Sequence, residues 1–243
     1  MGDLDLAFIG TGNAFAPGGL CWNGFVAGGR YLFEAPPQAL QSLNRMGIDP
    51  NELDGVVISH HHGDHFLGLP FLLLHWKYFQ RSRPAYIVGP PRTRELAEAI
   101  CRTVYPGVLD APYELRWVEL AGGESVDLPG IRLSARAVQH DTRLSLNLGY
   151  LAELGGRRLA YTGDTGLCDA VLELAAESQV LVAECSSVDE RVPIHLNLVD
   201  DIPKVRAAMR PASTLILTHL TPDVAAAAPA GTLVARDLER FRL

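Results

Sequence analysis

Along the chain, short apolar runs rich in β-branched residues alternate with longer segments whose apolar positions recur at helical spacing. Strands are expected at 4–9, 23–27 and 30–33, the last two joined as a hairpin across Gly28-Gly29. Pro36-Pro37 opens a helix that runs to about Met46, and Gly47 stands where a terminating glycine belongs. A buried strand follows at 55–58, then a helical apolar and aromatic segment over 66–80, a strand at 85–88 and a helix over 92–105. Strands are expected at 115–119, 125–128 and 131–138, and a second hairpin pairs 148–151 with 158–161 around Gly155-Gly156. The last third predicts a helix over 168–177, strands at 180–183 and 214–217, and a helix beginning near Leu198. An Ala-rich stretch from Val224, expected to be flexible, leads to an edge strand at 232–235. Strand and helix alternate in two halves, roughly 1–120 and 121–243, with no low-complexity linker or periodic repeat, which predicts one α/β domain. Aromatics at helical spacing are more often packing than a ligand platform, so Trp76, Tyr78 and Phe79 read as core and His75 as a satisfied histidine.

The strand at 55–58 runs straight into Ser59-His60-His61-His62-Gly63-Asp64-His65. Residues two apart at a strand end face the same side, so His60 and His62 can converge on one ion. Gly63 permits a sharp turn that brings Asp64 and His65 to a second position. Imidazole nitrogen with carboxylate oxygen is a donor set that suits zinc and neighbouring divalent metals. By the same alternation His61 points away from its neighbours. Further along, apolar strands end in His140, Asp164, Glu184 and His219, each able to bind metal or move a proton. Loops at strand ends are where layered α/β folds gather side chains from distant parts of the chain.

Composition narrows the partners. The 243 residues carry a net charge of −7, against the basic surface that grips long nucleic acid by its phosphates. A small anionic substrate drawn to a metal pair remains compatible with that balance. Cys21, Cys101, Cys168 and Cys185 form no CxxC pair, so neither a disulfide framework nor a thiolate zinc site is indicated. The acidic opening Met1-Gly2-Asp3-Leu4-Asp5 lacks a secretory layout and no run of about 18 apolar residues occurs, so a cytoplasmic location is expected and no membrane partner. Gly10-Thr11-Gly12-Asn13 is too short a glycine pattern for a phosphate loop and reads as a tight turn near the site.

His60-x-His62-x-Asp64-His65, then His140, Gly163-Asp164-Thr165 and Leu217-Thr218-His219, resemble the metallo-β-lactamase superfamily, and within it the ribonuclease Z-like phosphodiesterases. The resemblance runs from about residue 4 to 220. It implies an αββα sandwich with two divalent ions, zinc foremost, with manganese or iron as the alternatives. His60, His62 and His140 would hold the first ion, Asp64, His65 and His219 the second, and Asp164 would bridge them. A hydroxide shared between the ions would be the nucleophile, since metal binding lowers the pKa of water to about 7. Asp64 would also orient that hydroxide. In ribonuclease Z-like enzymes a histidine matching His195 contacts the phosphate and assists the leaving group, with a glutamate matching Glu184 beside it. Here that loop reads His195-Leu196-Asn197 in place of the commoner His-Ser-Thr. Asp141 stands next to a ligand, and the sequence leaves its role open.

Three departures separate the chain from tRNA 3′-processing enzymes. Only 24 residues separate His140 from Asp164, leaving no room for a protruding tRNA-binding arm. Leu220-Thr221-Pro222-Asp223 lacks the arginine expected after the last histidine, and Phe33-Glu34-Ala35-Pro36-Pro37 replaces the family's Asp-Cys-Gly-Glu-Gly. The leading expectation is therefore a dinuclear hydrolase of a small phosphodiester, a cyclic nucleotide or cyclic sugar phosphate. The alternatives are a ribonuclease Z-type RNA endonuclease, a lactone, ester or thioester hydrolase, and a non-catalytic binding module. A homodimer is compatible with all four.

Overall fold

The computed structural model describes residues 3–230 and 232–243; Met1, Gly2 and Gly231, within the ranges read above, lie outside the described residues. The first sheet takes β1 (Asp5–Gly10), β2 (Gly24–Ala27), β3 (Tyr31–Phe33), β4 (Gly55–Val57), β5 (Ala85–Gly89) and β6 (Leu115–Glu119) in that spatial order. Its helices are α1 (Ala39–Arg45), α2 (Gly63–Phe66), α3 (Leu69–Tyr78) and α4 (Thr93–Val104). The second sheet is built from β7 (Ser125–Leu128), β8 (Ile131–Ala137), β9 (Leu148–Leu154), β10 (Arg157–Tyr161), β11 (Val180–Glu184), β12 (Thr214–Thr218) and β13 (Leu233–Val234). With it come α5 (Asp169–Glu177), α6 (Ile202–Ala208) and α7 (Pro222–Ala227). The last strand, β14 (Glu239–Arg242), crosses back to pair antiparallel with β1 at the edge of the first sheet.

The layering follows from strand alternation. Leu6 and Phe8 of β1 join Phe25, Phe33, Tyr150 and Tyr161 in a core between the sheets, while Ala7 and Ile9 face the other way, into a core with Leu43, Leu72 and Trp76. In β10 and β11, Leu159 and Val182 face inward, whereas Ala160 and Leu181 pack against Val171, Leu174 and Val205 of α5 and α6. Strands buried on both faces must be apolar throughout, which explains their unbroken hydrophobic runs. The result is the αββα sandwich.

Several local expectations are corrected. The segment 66–80 divides into α2 and α3 because Gly68 passes against Pro36, where a Cβ would sit 1.9 Å from its carbonyl oxygen, and Pro70 restarts the helix. Tyr78 and Phe79 are 67 % and 65 % exposed, not core, since they fall at the C-terminal end of α3, where Phe79 stacks on His75; Trp76 is buried and its indole N–H reaches the Pro50 carbonyl at 2.7 Å. The helix expected near Leu198 begins at Ile202, after a turn in which Asn197 Oδ1 accepts from Asp200 N–H at 2.6 Å and Asn197 Nδ2 donates to Asp201 Oδ2 at 3.0 Å. The Ala-rich stretch forms α7, capped by the Thr221 side chain accepting from Val224 N–H. Among the described residues no helix is long and apolar enough to cross a membrane.

Candidate metal centre

Five strand-end loops, from both sheets, meet at one end of the sandwich. Beyond β4, Ile58 N–H still bonds to the Val88 carbonyl, and the chain then leaves the sheet through Ser59 to the fully buried His60. His62 is extended at φ −63°, ψ 149°, and the turn into α2 folds Asp64 and His65 back beside it. His140 follows β8, Asp164 follows β10, Glu184 closes β11 and His219 follows β12. Gly163 makes the Asp164 turn possible: its φ is +60°, and a Cβ there would lie 2.6 Å from the Leu148 carbonyl.

Two clusters result. One donor atom from each of His60, His62 and His140 lies within 4.8 Å of the others, and the same holds for Asp64, His65, Asp164 and His219. His62 Nδ1 is 3.0 Å from His60 Nε2 and 3.2 Å from His140 Nε2. Asp164 Oδ2 touches both groups, at 3.9 Å from His60 Nε2, 3.3 Å from His65 Nε2 and 3.1 Å from His219 Nε2. Asp64 Oδ2 lies 3.1 Å from His65 Nε2 and 3.6 Å from His219 Nε2.

The donor chemistry fits divalent ions. Asp64 Oδ2, His65 Nε2 and His219 Nε2 face one another in the second cluster and are buried with no hydrogen-bond partner, as is the second oxygen of Asp164, Oδ1. An unsatisfied buried polar group costs about 1–3 kcal/mol, and four together call for a cation among them. The outer nitrogens are held by oxygen: His60 Nδ1 by Ser59 Oγ at 2.8 Å, His140 Nδ1 by the Ile194 carbonyl at 3.0 Å, and His219 Nδ1 by Ser186 Oγ at 2.9 Å. His62 Nε2 meets Asp141 Oδ2 at 3.3 Å, and His65 Nδ1 faces the buried Glu34 Oε1 at 3.5 Å. Such outer contacts fix the ring so that the inner nitrogen presents its lone pair.

Charge follows the same plan. Burial, joined by the neighbouring imidazoles, holds His60 and His140 below the ordinary histidine range, the neutral state a metal requires. Burial opposes ionisation of Asp64 and Asp164, yet the surrounding histidines keep both far below the usual carboxylate range. Burial likewise opposes a charge on His65, but the carboxylates of Asp164, Asp64 and Glu34 hold it well above its usual range, so they favour a cation at this position, a proton that a divalent ion would displace.

His195 sits beside the clusters. Its Nδ1 is 2.7 Å from Oε1 of the fully buried Glu184, and a ring nitrogen lies within 4.8 Å of donors on His140 and Asp164. Burial would lower its pKa, but the hydrogen bond and charge of Glu184 prevail and raise it to about 9. Glu184 is anchored in turn by Thr165 N–H at 2.9 Å and Ser186 Oγ at 3.0 Å. His61 points away from the centre and bonds Thr93 Oγ1 at 2.8 Å, its pKa lowered to about 4 by burial. Asp141 is gripped by Arg143 as well as facing His62.

Glu34, Ser59 and Ser186 are contributions that the sequence pattern did not reveal. Glu34 has a positive φ of 66°, a backbone feature that no pattern in the sequence shows. Between His140 and Asp164 the chain forms a short loop, β9 and β10, with no projecting arm.

Residues 29–220 match the family described as the beta-lactamase superfamily domain. The chain is 27 % identical over 241 residues to the ribonuclease Z of Methanosarcina mazei, covering 77 % of this chain and 76 % of that one. Among solved structures it resembles human tRNase Z, short form, with a TM-score of 0.78 and 21 % identity over 98 % of both chains. It also resembles a diphosphatase from the PhnP family, with a TM-score of 0.76 and 19 % identity over 99 % of this chain and 98 % of the other.

Proposed function

The chain belongs to the beta-lactamase superfamily and is a metal-dependent hydrolase of its ribonuclease Z-like branch; from that premise we propose that it hydrolyses a small phosphodiester, a cyclic nucleotide or cyclic sugar phosphate. His60, His62 and His140 would hold one ion, Asp64, His65 and His219 the other, with Asp164 between them and zinc the metal that suits this donor set. Bound there, two divalent ions lower the pKa of water and neutralise phosphate oxygens. Asp64 orients the attacking water as well as ligating. His195 carries the proton for the leaving oxygen, and Glu184 sets its tautomer, Nδ1 to the carboxylate and Nε2 toward substrate.

The observation that carries this reading is the bond of His195 Nδ1 to buried Glu184 beside Asp164. An alkoxide leaving group needs an acid, which the thiolate of a thioester does not, and a His195 kept protonated by Glu184 pairs with an anionic phosphate better than with a neutral lactone. Small substrates are favoured over tRNA because the His140–Asp164 interval carries no arm and the net charge is −7. The test is a panel of bis-p-nitrophenyl phosphate, cyclic nucleotides, a lactone, a thioester and a precursor tRNA, each with and without chelator. Chelator-sensitive turnover of small phosphodiesters is expected. Turnover confined to the lactone or thioester would overturn the reading, and preference for the precursor tRNA would replace it with the endonuclease.

A further inference from the structure

Two clefts open on either side of His195. One, of about 400 Å3, is polar, with Gln139, Arg191, Asn197 and Lys204 in its wall. The other, of about 320 Å3, runs along His219 and is lined by Asn13, Phe15, Ser187 and Thr221. Phe15 is 90 % exposed, the most open large apolar side chain among the described residues. An isolated exposed apolar residue is ordinary; the place and tethering of this one are not. Its N–H bonds to Asn13 Oδ1 at 3.1 Å, the Ala14 carbonyl accepts from the Trp22 indole at 3.0 Å, and Asn13 N–H reaches the Leu220 carbonyl, next to His219, at 3.3 Å. The next residue, Ala16, is held at φ 45°, a left-handed conformation that strains a non-glycine backbone and that clusters at ligand sites. A rigid loop thus presents a bare aromatic face over a cleft that leads to the metal centre.

We propose that Phe15 is a specificity-determining residue that stacks on the heterocyclic base of a nucleoside phosphodiester whose phosphate lies at the metal centre. The assignment rests on the phosphodiesterase reading and names its substrate class. A cleft of about 320 Å3 is small among ligand sites, so it suits one nucleoside and not a folded RNA. Ser187 Oγ is committed to the Glu190 carbonyl, Thr221 Oγ1 to Val224 N–H and Asn13 Oδ1 to Phe15 N–H, so the wall offers a base edge the Glu190 carboxylate and the Asn13 amide nitrogen. Stacking on a π-face tolerates any base, so the aromatic face itself separates a nucleoside from a bare sugar phosphate and not one base from another.

The test compares adenosine 5′-monophosphate with ribose 5-phosphate, by titration calorimetry on the metal-loaded protein, and 3′,5′-cyclic AMP with a base-free cyclic ribose phosphate in turnover. Phe15→Ala weakens adenosine 5′-monophosphate about 5- to 150-fold, the range for one aromatic stack, and leaves ribose 5-phosphate unchanged. KM for cyclic AMP rises in step while kcat holds, and Phe15→Trp restores both. Equal binding of the two ligands by the native protein, failure of either to bind, or a Phe15→Ala loss shared by both, overturns the assignment. Base-dependent binding through Phe15 without hydrolysis of any phosphodiester would remove the phosphodiesterase reading and leave the stacking role standing.

Discussion

At the scale of single residues, the donors around the two clusters divide into those that signal themselves by type and those that do so only by distance. His60, His62, Asp64 and His65 stand close together in the chain, and His140, Asp164 and His219 each end an apolar run. Their chemistry is therefore visible before any folding. Glu34, Ser59 and Ser186 are ordinary oxygens whose purpose depends on lying against His65, His60 and His219. His195→Ala is expected to lower phosphodiester turnover by about 10²-fold or more with both ions retained, checked by metal analysis beside kinetics. Loss of metal with unchanged turnover per ion would make His195 a ligand instead. With its pKa raised to about 9, the acid form of His195 is present below that pH and lost above it, giving an alkaline limb to the rate profile. Glu184→Gln removes the anion that sustains this rise, so the limb moves to lower pH; an unmoved limb would assign it to another group.

At the scale of elements, most of the strands and helices follow from alternation and spacing, and the exceptions have local causes. The 66–80 segment breaks because Gly68 must pass Pro36 at contact distance, a restriction that lies between two separate segments. β14 is short, charged at Glu239, Arg240 and Arg242, and gains its identity only from pairing with β1. Tyr78 and Phe79 keep the helical spacing of a core face but stand at the helix's last turn, where they are left exposed. The turn at Gly163 is the element on which the placing of the Asp164 carboxylate depends. Gly163→Ala forces both a Cβ clash with Leu148 and a left-handed non-glycine residue, and is expected to destabilise the fold by about 1–3 kcal/mol. Urea midpoints measured alongside metal content should fall together; normal content at an unchanged midpoint would show that the turn tolerates a side chain.

At the scale of the whole molecule, two sheets with opposite partners converge at one end, so the site is complete only when both are in place. That convergence was readable as order along the chain, but the distances between clusters were not, since they depend on how the sheets pack. Removing metal leaves like and unlike charges crowded without their centre, so chelation is expected to lower the melting temperature, with recovery that grows with added zinc as mass action requires. Asp164→Ala should abolish that zinc-dependent gain; a variant that still binds two ions and gains fully would rule out the bridge. The C-terminal region holds a further consequence. Asp237 accepts from the Thr11 amide at 2.9 Å, the Thr11 hydroxyl at 2.8 Å and the Cys21 amide at 2.7 Å, and β14 then closes the sheet against β1. The loop bearing Phe15 lies between those two anchor points, which precede Asp237 by 226 and 216 residues, so the ribosome makes that loop long before the aspartate that fastens it.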